Sequence, residues 1–454
     1  MSHKFTRRAA LKAVAGGALG TALAGCATIR SQNPFATDEY PTPQTVADPL
    51  SNRPQFRYKE STTELTRVDL RGHGIDQTGE TSVADVIESA AREDRLLELP
   101  PGEYMLDRTV VLEDFQRLGI RGNDATIRPA TGTNEYLFMA ESPDSNAEFW
   151  FEDLTFDLSE SGTGGRALQA RVDSQLFIKN VNVIGTLDSG PNVVRLDVTD
   201  ADGHASIDQL RLPDGALPET NISGCYVGNT NEGDLHFREC VISGFPDNGL
   251  YADPPDGSIT VDGGYFSNNG ISNIRVNGGS LVRGAHVRCD QPRPGTNNMR
   301  GIRLTDYDAQ SETEPAVVDG CRVEMYDITH SDGAIELSSQ LWNAIIRNTH
   351  ITVDVDDLNA IRVKPPRGAL FPTATTESLV CENVVIDGSA AGGAAVLVAD
   401  RDNTTFDNIS ISQSGADRHG IEFRRSAGHS VAAYQHSVTG ESLLLDQAEV
   451  SHSS

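Results

Sequence analysis

Ile302-Arg303-Leu304, Ile335-Glu336-Leu337 and Ile361-Arg362-Val363 are three copies of one pattern, apolar-x-apolar. Working outward, the same triplet recurs as Leu250-Tyr251-Ala252 and Ile274-Arg275-Val276 on one side. On the other it recurs as Val396-Leu397-Val398, Ile421-Glu422-Phe423 and Leu443-Leu444-Leu445. The steps between copies are 24, 28, 33, 26, 35, 25 and 22 residues. A second series runs half a turn out of phase. Its central residues are Val241, Tyr265, His286, Arg322, His350, Val385 and Ser410. The residue before each of these triplets is Glu239, Gly263, Gly284, Gly320, Asn348, Asn383 or Asn408. Gly and Asn tolerate the left-handed backbone that a corner needs.

Period-two alternation means strands with one face in and one face out. A repeat of about 25 residues carrying two or three short strands is one coil of a solenoid, whose apolar face is buried only by stacking on the next coil. The expected fold is all-β, a parallel β-helix. Ser82 and Asp85 form a capping pair ahead of an apolar face of Val83, Val86, Ile87 and Ala90, so a short helix is expected before the first coil. Coils are expected through 149–158 and 176–185, with 186–230 less regular.

The ends of the chain read differently. Thr6-Arg7-Arg8-Ala9-Ala10-Leu11-Lys12 resembles a twin-arginine export signal, and Leu23-Ala24-Gly25-Cys26 resembles a lipobox whose Cys26 takes a lipid after cleavage. Residues 1–26 are therefore expected to be a signal and 27–60 a Pro- and Ser-rich tether, with 61–454 the coil domain on the outer face of the membrane. The net charge is −28, and only Lys4, Lys12, Lys59, Lys179 and Lys364 are lysines. Such Lys-poor, acid-rich surfaces resemble those of extreme halophiles, and they argue against nucleic acid as a partner. Beyond Cys26 five cysteines remain, with no C-x-x-C. Cys240 and Cys321 share a strand column three coils apart, beyond disulfide reach, so buried thiols are expected and no zinc site.

The stretch Leu99-Pro100-Pro101-Gly102-Glu103-Tyr104, after a Gly-rich turn and a helix, resembles the start of the pectate-lyase-3 type domain. That group belongs to the pectin-lyase-like superfamily of right-handed parallel β-helices. The resemblance implies right-handed coils capped by the helix, but not one activity, because the fold hosts lyases, hydrolases, epimerases and non-catalytic surface proteins. The polygalacturonase pattern is incomplete here. Asn229-Thr230-Asn231 lacks its carboxylate, Asp356-Asp357 is displaced, and only Arg362-Val363-Lys364 matches.

Lyase chemistry needs a base for the proton beside a uronate carboxylate, and a cation to neutralise that carboxylate. The outward positions Tyr251, Arg275, Arg303, Glu336 and Arg362 form a ladder with rungs about 4.8 Å apart. Beside it run Asp253, Asn277, Thr305, Ser338 and Lys364. Longer turns at 289–299, 305–315 and 364–377 border the ladder and are placed to wall a groove. Arg303, Arg362 and Lys364 are the catalytic candidates, Tyr251, Arg275 and Glu336 the substrate-binding ones, and Asp306 and Asp308 candidate Ca²⁺ ligands. The reading is a lipid-anchored protein that binds an acidic polysaccharide or cell-surface glycan, with cleavage by β-elimination as the candidate activity. A non-catalytic surface module and a hydrolase with an unrecognised carboxylate pair are the alternatives. Arg303, Glu336 and Arg362 read equally as a surface salt-bridge ladder.

Overall fold

The computed structural model describes residues 65–453, except 145, 161, 163, 297, 307–313 and 368–376. The export signal, Cys26 and the tether lie outside the described residues.

The coil domain is a right-handed parallel β-helix. Its strands form one 13-stranded parallel sheet and one 24-stranded sheet. The first triplet series builds the 13-stranded sheet, here called face A, and all eight copies pair in register. Leu250 sits beside Ile274, Ile274 beside Ile302, Ile302 beside Ile335, and the column continues through Ile361, Val396 and Ile421 to Leu443. The second series builds face C, again in register from Val241 to Ser410. A third column, face B, precedes each face C strand. It holds Asp234–Arg238, Ile259–Asp262, Leu281–Arg283 and Ala316–Asp319. In long strands such as Leu379–Gly388 and Thr404–Gln413, faces B and C are one strand, bent in the middle.

That bend is where left-handed backbone is needed. Glu239, Gly263, Gly284, Gly320, Asn348, Asn383 and Asn408 all have φ between 48° and 68°. This conformation costs most L-residues about 1–2 kcal/mol, and Asn offsets it with a polar side chain that bonds locally. Asn408 donates to Asn383 (2.7 Å), Asn383 to Asn348 (3.2 Å) and Asn348 to Asp319 (2.8 Å). The corner is thus a ladder of amides parallel to the coil axis.

The inward residues make one continuous core. In the first coils it is filled by Phe115, Phe138, Phe149, Phe151 and Phe156, in contact with ring centroids 5.2–6.1 Å apart. Later coils use Ile, Val and Leu. Each such side chain stabilises the fold by about 1.5–3 kcal/mol when fully buried. Cys225, Cys240, Cys289, Cys321 and Cys381 are buried and unpaired within this core. The helix is Ala84–Ala90, and Val83, Ala84, Ile87 and Ala90 close the first coil. The expected capping pair does not form. Val83 is the N-cap with no side-chain bond, and Ser82 ends the preceding strand, accepting only a long bond from the Ala84 N–H (3.5 Å) while donating to Asp107 (2.5 Å). Residues 186–230 form regular coils, with face A strands Asn192–Val198 and Ser223–Val227.

Candidate functional site

The outer column of face A reads, one residue per coil, Arg195, Tyr226, Tyr251, Arg275, Arg303, Glu336, Arg362 and Leu397. The structure divides this ladder into two unlike halves.

In the first half two tyrosines meet edge to face, Tyr226 and Tyr251, 5.1 Å between centroids. An arginine flanks each. Arg275 lies over Tyr251 at 4.3 Å, and Arg195 stands 5.7 Å from Tyr226. Each arginine is aimed by a buried aspartate, Arg195 by one two positions along its own strand and Arg275 by one just past the strand of the preceding coil. Arg275 bonds Asp253 through Nε (2.8 Å) and Nη2 (2.6 Å), and Arg195 bonds Asp197 (3.0 Å). Asp197 also accepts from the backbone and hydroxyl of Thr230 (3.2 and 2.6 Å). The Asn229-Thr230-Asn231 stretch is therefore a turn clamp for a carboxylate from the preceding coil. Gly228 lies between the two aspartates, and a Cβ there would stand 2.2 Å from Asp197 Oδ1.

Tyr251 lies within electrostatic reach of Arg275, Asp253, Asp247 and Arg303, and burial raises the pKa of its phenol. Burial also raises Asp253, against the pull of Arg275, and Asp247, against hydrogen bonds from Ser223 (2.9 Å) and Asn248 (2.8 Å). A phenol, two carboxylates raised by burial and the Arg275 guanidinium thus stand together on face A. This is a set suited to proton transfer beside an anion.

The second half turns inward on itself. Glu336 is fully buried, and Arg300 (2.5 Å), Lys364 (2.9 Å) and Arg303 (3.3 Å) surround it. Asp332 joins from the turn before that strand. It pairs with Arg300 and Lys364 (2.7 Å) and accepts from Asn298 (2.9 Å). Burial would lift the pKa of Asp332, but the Lys364 hydrogen bond and the Arg300 charge outweigh it and hold the group below its usual value. Burial, then the charge of Arg275, lowers the pKa of Arg303. Glu336, expected to touch substrate, is therefore the centre of an ion cluster, and Lys364 is committed to it. Arg362 stands apart at the far end, donating to Asn359 (3.2 Å).

The neighbouring column of Asn277, Thr305 and Ser338 is buried. Ser338 bonds Thr305 (2.7 Å), and Asn277 binds the carbonyls of Pro254 and Gly257, so this column stitches turns together. Asp356 likewise serves a turn, accepting from the Ala391 N–H (2.8 Å). Asp306 is buried and accepts from the Gly278 N–H (2.8 Å), while Asp308 lies outside the described residues. Among the described residues, no three His, Cys, Asp or Glu side chains converge as metal ligands.

The turn at 289–299 does stand beside face A. Arg293 reaches back to the Ala216 carbonyl (3.0 Å), and Thr329 ties the next turn to the Arg293 carbonyl (2.7 Å). Together 289–299 and 326–334 form a wall along one side of the ladder. Most of the turns at 305–315 and 364–377 lies outside the described residues. Arg300, Asp332, Asp247 and Asp197 were not singled out by the sequence reading. They come from turn residues and strand ends, where period-two alternation carries no signal. Asp197 lay in the stretch read as irregular.

No family model and no curated protein matches this chain. Solved structures do. The A-module of the mannuronan C-5 epimerase AlgE4 of Azotobacter vinelandii aligns over 85% of this chain and 100% of its own, at 13% identity and a TM-score of 0.54. PfbA, a surface adhesin of Streptococcus pneumoniae, aligns over 83% and 93%, at 13% identity and a TM-score of 0.50. At such identity the likeness carries the architecture alone. By strand register, and in likeness to these neighbours, the chain is a right-handed parallel β-helix.

Proposed function

We propose that this is an extracytoplasmic, lipid-anchored β-helix that binds an acidic polysaccharide along face A and removes the proton beside a uronate carboxylate. One observation carries the reading: on the outer face of the ladder Tyr251 stands between Tyr226 and Arg275, beside Asp247 and Asp253, two carboxylates raised by burial. Arg275, aimed by Asp253, would hold the uronate carboxylate and stabilise negative charge as the proton leaves. Asp247, the less buried of the two carboxylates, would accept the proton. Tyr251, kept protonated by burial, would give its proton to the departing glycosidic oxygen as the new C=C bond forms. The tyrosine pair and Arg195 extend the surface for further sugars. With the glycosidic bond kept, returning a proton to the opposite face of the same carbon instead gives epimerisation, the activity for which the first neighbour is named. Both outcomes share this first step. The proposed chemistry sits upstream of Arg362 and Lys364, because Lys364 is held by Asp332 and Glu336.

The test incubates the purified coil domain with uronate polymers in high salt, with and without Ca²⁺. Ultraviolet absorbance, reducing ends and proton NMR are read together. New absorbance means elimination, and new NMR signals without chain cleavage mean epimerisation. Reducing ends without absorbance would replace the reading with hydrolysis. Binding without any change would favour the adhesin-like alternative, which the Arg275–Asp253 and Arg195–Asp197 pairings also suit. The export and anchoring parts rest on residues 6–26. Cys26→Ser should release the protein from membranes into the medium, and retention would sink the lipid anchor.

A further inference from the structure

Face C carries a second cluster, built around Glu324. This carboxylate is fully buried although it points away from the coil core. It accepts from Arg322 Nε (2.9 Å), Tyr326 OH (3.0 Å) and Arg288 Nη1 (3.3 Å), and His286 Nε2 lies 2.8 Å away. Burial pushes its pKa up, but the hydrogen bonds from His286 and Tyr326 and the neighbouring positive charges win, leaving it at about 2. An ionised carboxylate only accepts hydrogen bonds, so His286 donates to it from Nε2 and turns Nδ1 away. The imidazole is braced on its other side by the Tyr265 ring, 5.1 Å away and near perpendicular. Arg288 is held over Tyr326 (4.9 Å) and bonded through Nε to Asp290 (2.7 Å).

Burying a carboxylate costs several kcal/mol, and well-packed apolar residues of similar volume often serve stability as well or better. The same outward columns elsewhere hold such plain residues as Val241, Val385, Ser410 and Ser412. What the buried Glu324 adds is orientation. It fixes two guanidinium groups and one imidazole, while the donors it leaves unused on Arg322 and Arg288 lie on side chains 42% and 35% exposed. Arg forks suit carboxylates, an imidazole nitrogen bonds a sugar hydroxyl in either protonation state, and an aromatic ring offers an apolar platform. The turns 289–299 and 326–334 separate this cluster from face A.

We infer that face C holds a second binding site for a carboxylate-bearing sugar residue, formed by Tyr265, His286, Arg288 and Arg322. The ligand class rests on the reading of face A; the site itself does not. With both faces occupied, one protein joins two polysaccharide chains.

The probe is a uronic-acid trimer, too short to span both faces, titrated by calorimetry. Wild type should bind two equivalents. Arg322→Gln should leave one, and so should Tyr265→Ala, which keeps all four partners of Glu324 and guards against misfolding in the first variant. Arg275→Gln should leave the other. One equivalent in wild type, lost in Arg275→Gln and unchanged in Tyr265→Ala and Arg322→Gln, overturns the second site and keeps face A. One equivalent lost only in the face C variants keeps the second site and overturns face A. No binding at all overturns both.

Discussion

The two halves of the face A ladder use the same residue types to opposite ends. Around Tyr226 and Tyr251 each arginine is aimed by one aspartate and lies against an aromatic ring, so its outer edge stays available. Around Glu336 three cations converge on one buried carboxylate, with a second beside it, and little is left for a ligand. The difference is one of stoichiometry and depth. One carboxylate per arginine, set to the side, makes a presented cation. A carboxylate beneath several cations makes a brace. The brace also pins the turn bearing Asp332, which is part of the groove wall.

The largest expected effect falls on the brace. Glu336→Ala strands cations in a buried place and should cost about 3–5 kcal/mol, read by denaturant unfolding. A loss below about 1 kcal/mol would mean the cluster is not structural and would return Glu336 to the binding surface. Tyr251→Phe should do the reverse, lowering turnover by about 10²–10⁴ while changing stability by about 1 kcal/mol or less. Equal losses of stability in the two variants would erase the contrast between the halves.

Acidification separates them next. Asp247 and Asp253, raised by burial, gain protons before Asp332, which is held low. Activity should therefore fall on the acid side while Asp332 remains charged. Stability has a further term in the last coils. Burial lowers His429 from 6.5 to about 4, where it stacks on Phe423 (4.1 Å) and bonds Thr404 (2.8 Å). Because its folded pKa lies below the unfolded one, its contribution is full above about 6.5 and is lost as pH falls toward 4. His429→Gln should flatten that part of the stability curve, and an unchanged slope would show that the loss comes from elsewhere. The smallest effect belongs to Arg362→Ala. At the end of the ladder it should weaken polymer binding by about 1 kcal/mol, roughly fivefold, without altering unfolding.

Most of the fold was legible because alternation and corner residues are local signals. Every triplet from Leu250 to Leu443 and every corner from Glu239 to Asn408 is where spacing put it. Face B escaped because several of its outward positions are apolar too, as at Leu281 and Val317, which blurs the period-two contrast. The site was legible only as a column. That Arg275, Arg303 and Glu336 are neighbours follows from register, but which of them faces a ligand depends on Asp253, Arg300 and Asp332. These lie at strand ends and in turns of variable length, and their side chains meet only once neighbouring coils are stacked. The capping pair failed for a related reason: a partner 25 residues away, Asp107, took Ser82.

The five core thiols give the molecule a built-in clock. Burial pushes Cys240, Cys289 and Cys321 up to about 12 and Cys225 and Cys381 well above their usual range, so none reacts while its coil is closed. They are spaced along the solenoid from Cys225 to Cys381, and in such a chain each coil contacts only its neighbours. The labelling rate of each sulfur under native conditions therefore times the opening of its own stretch, without any introduced probe. Read together, the five rates distinguish fraying from one end from a single cooperative event.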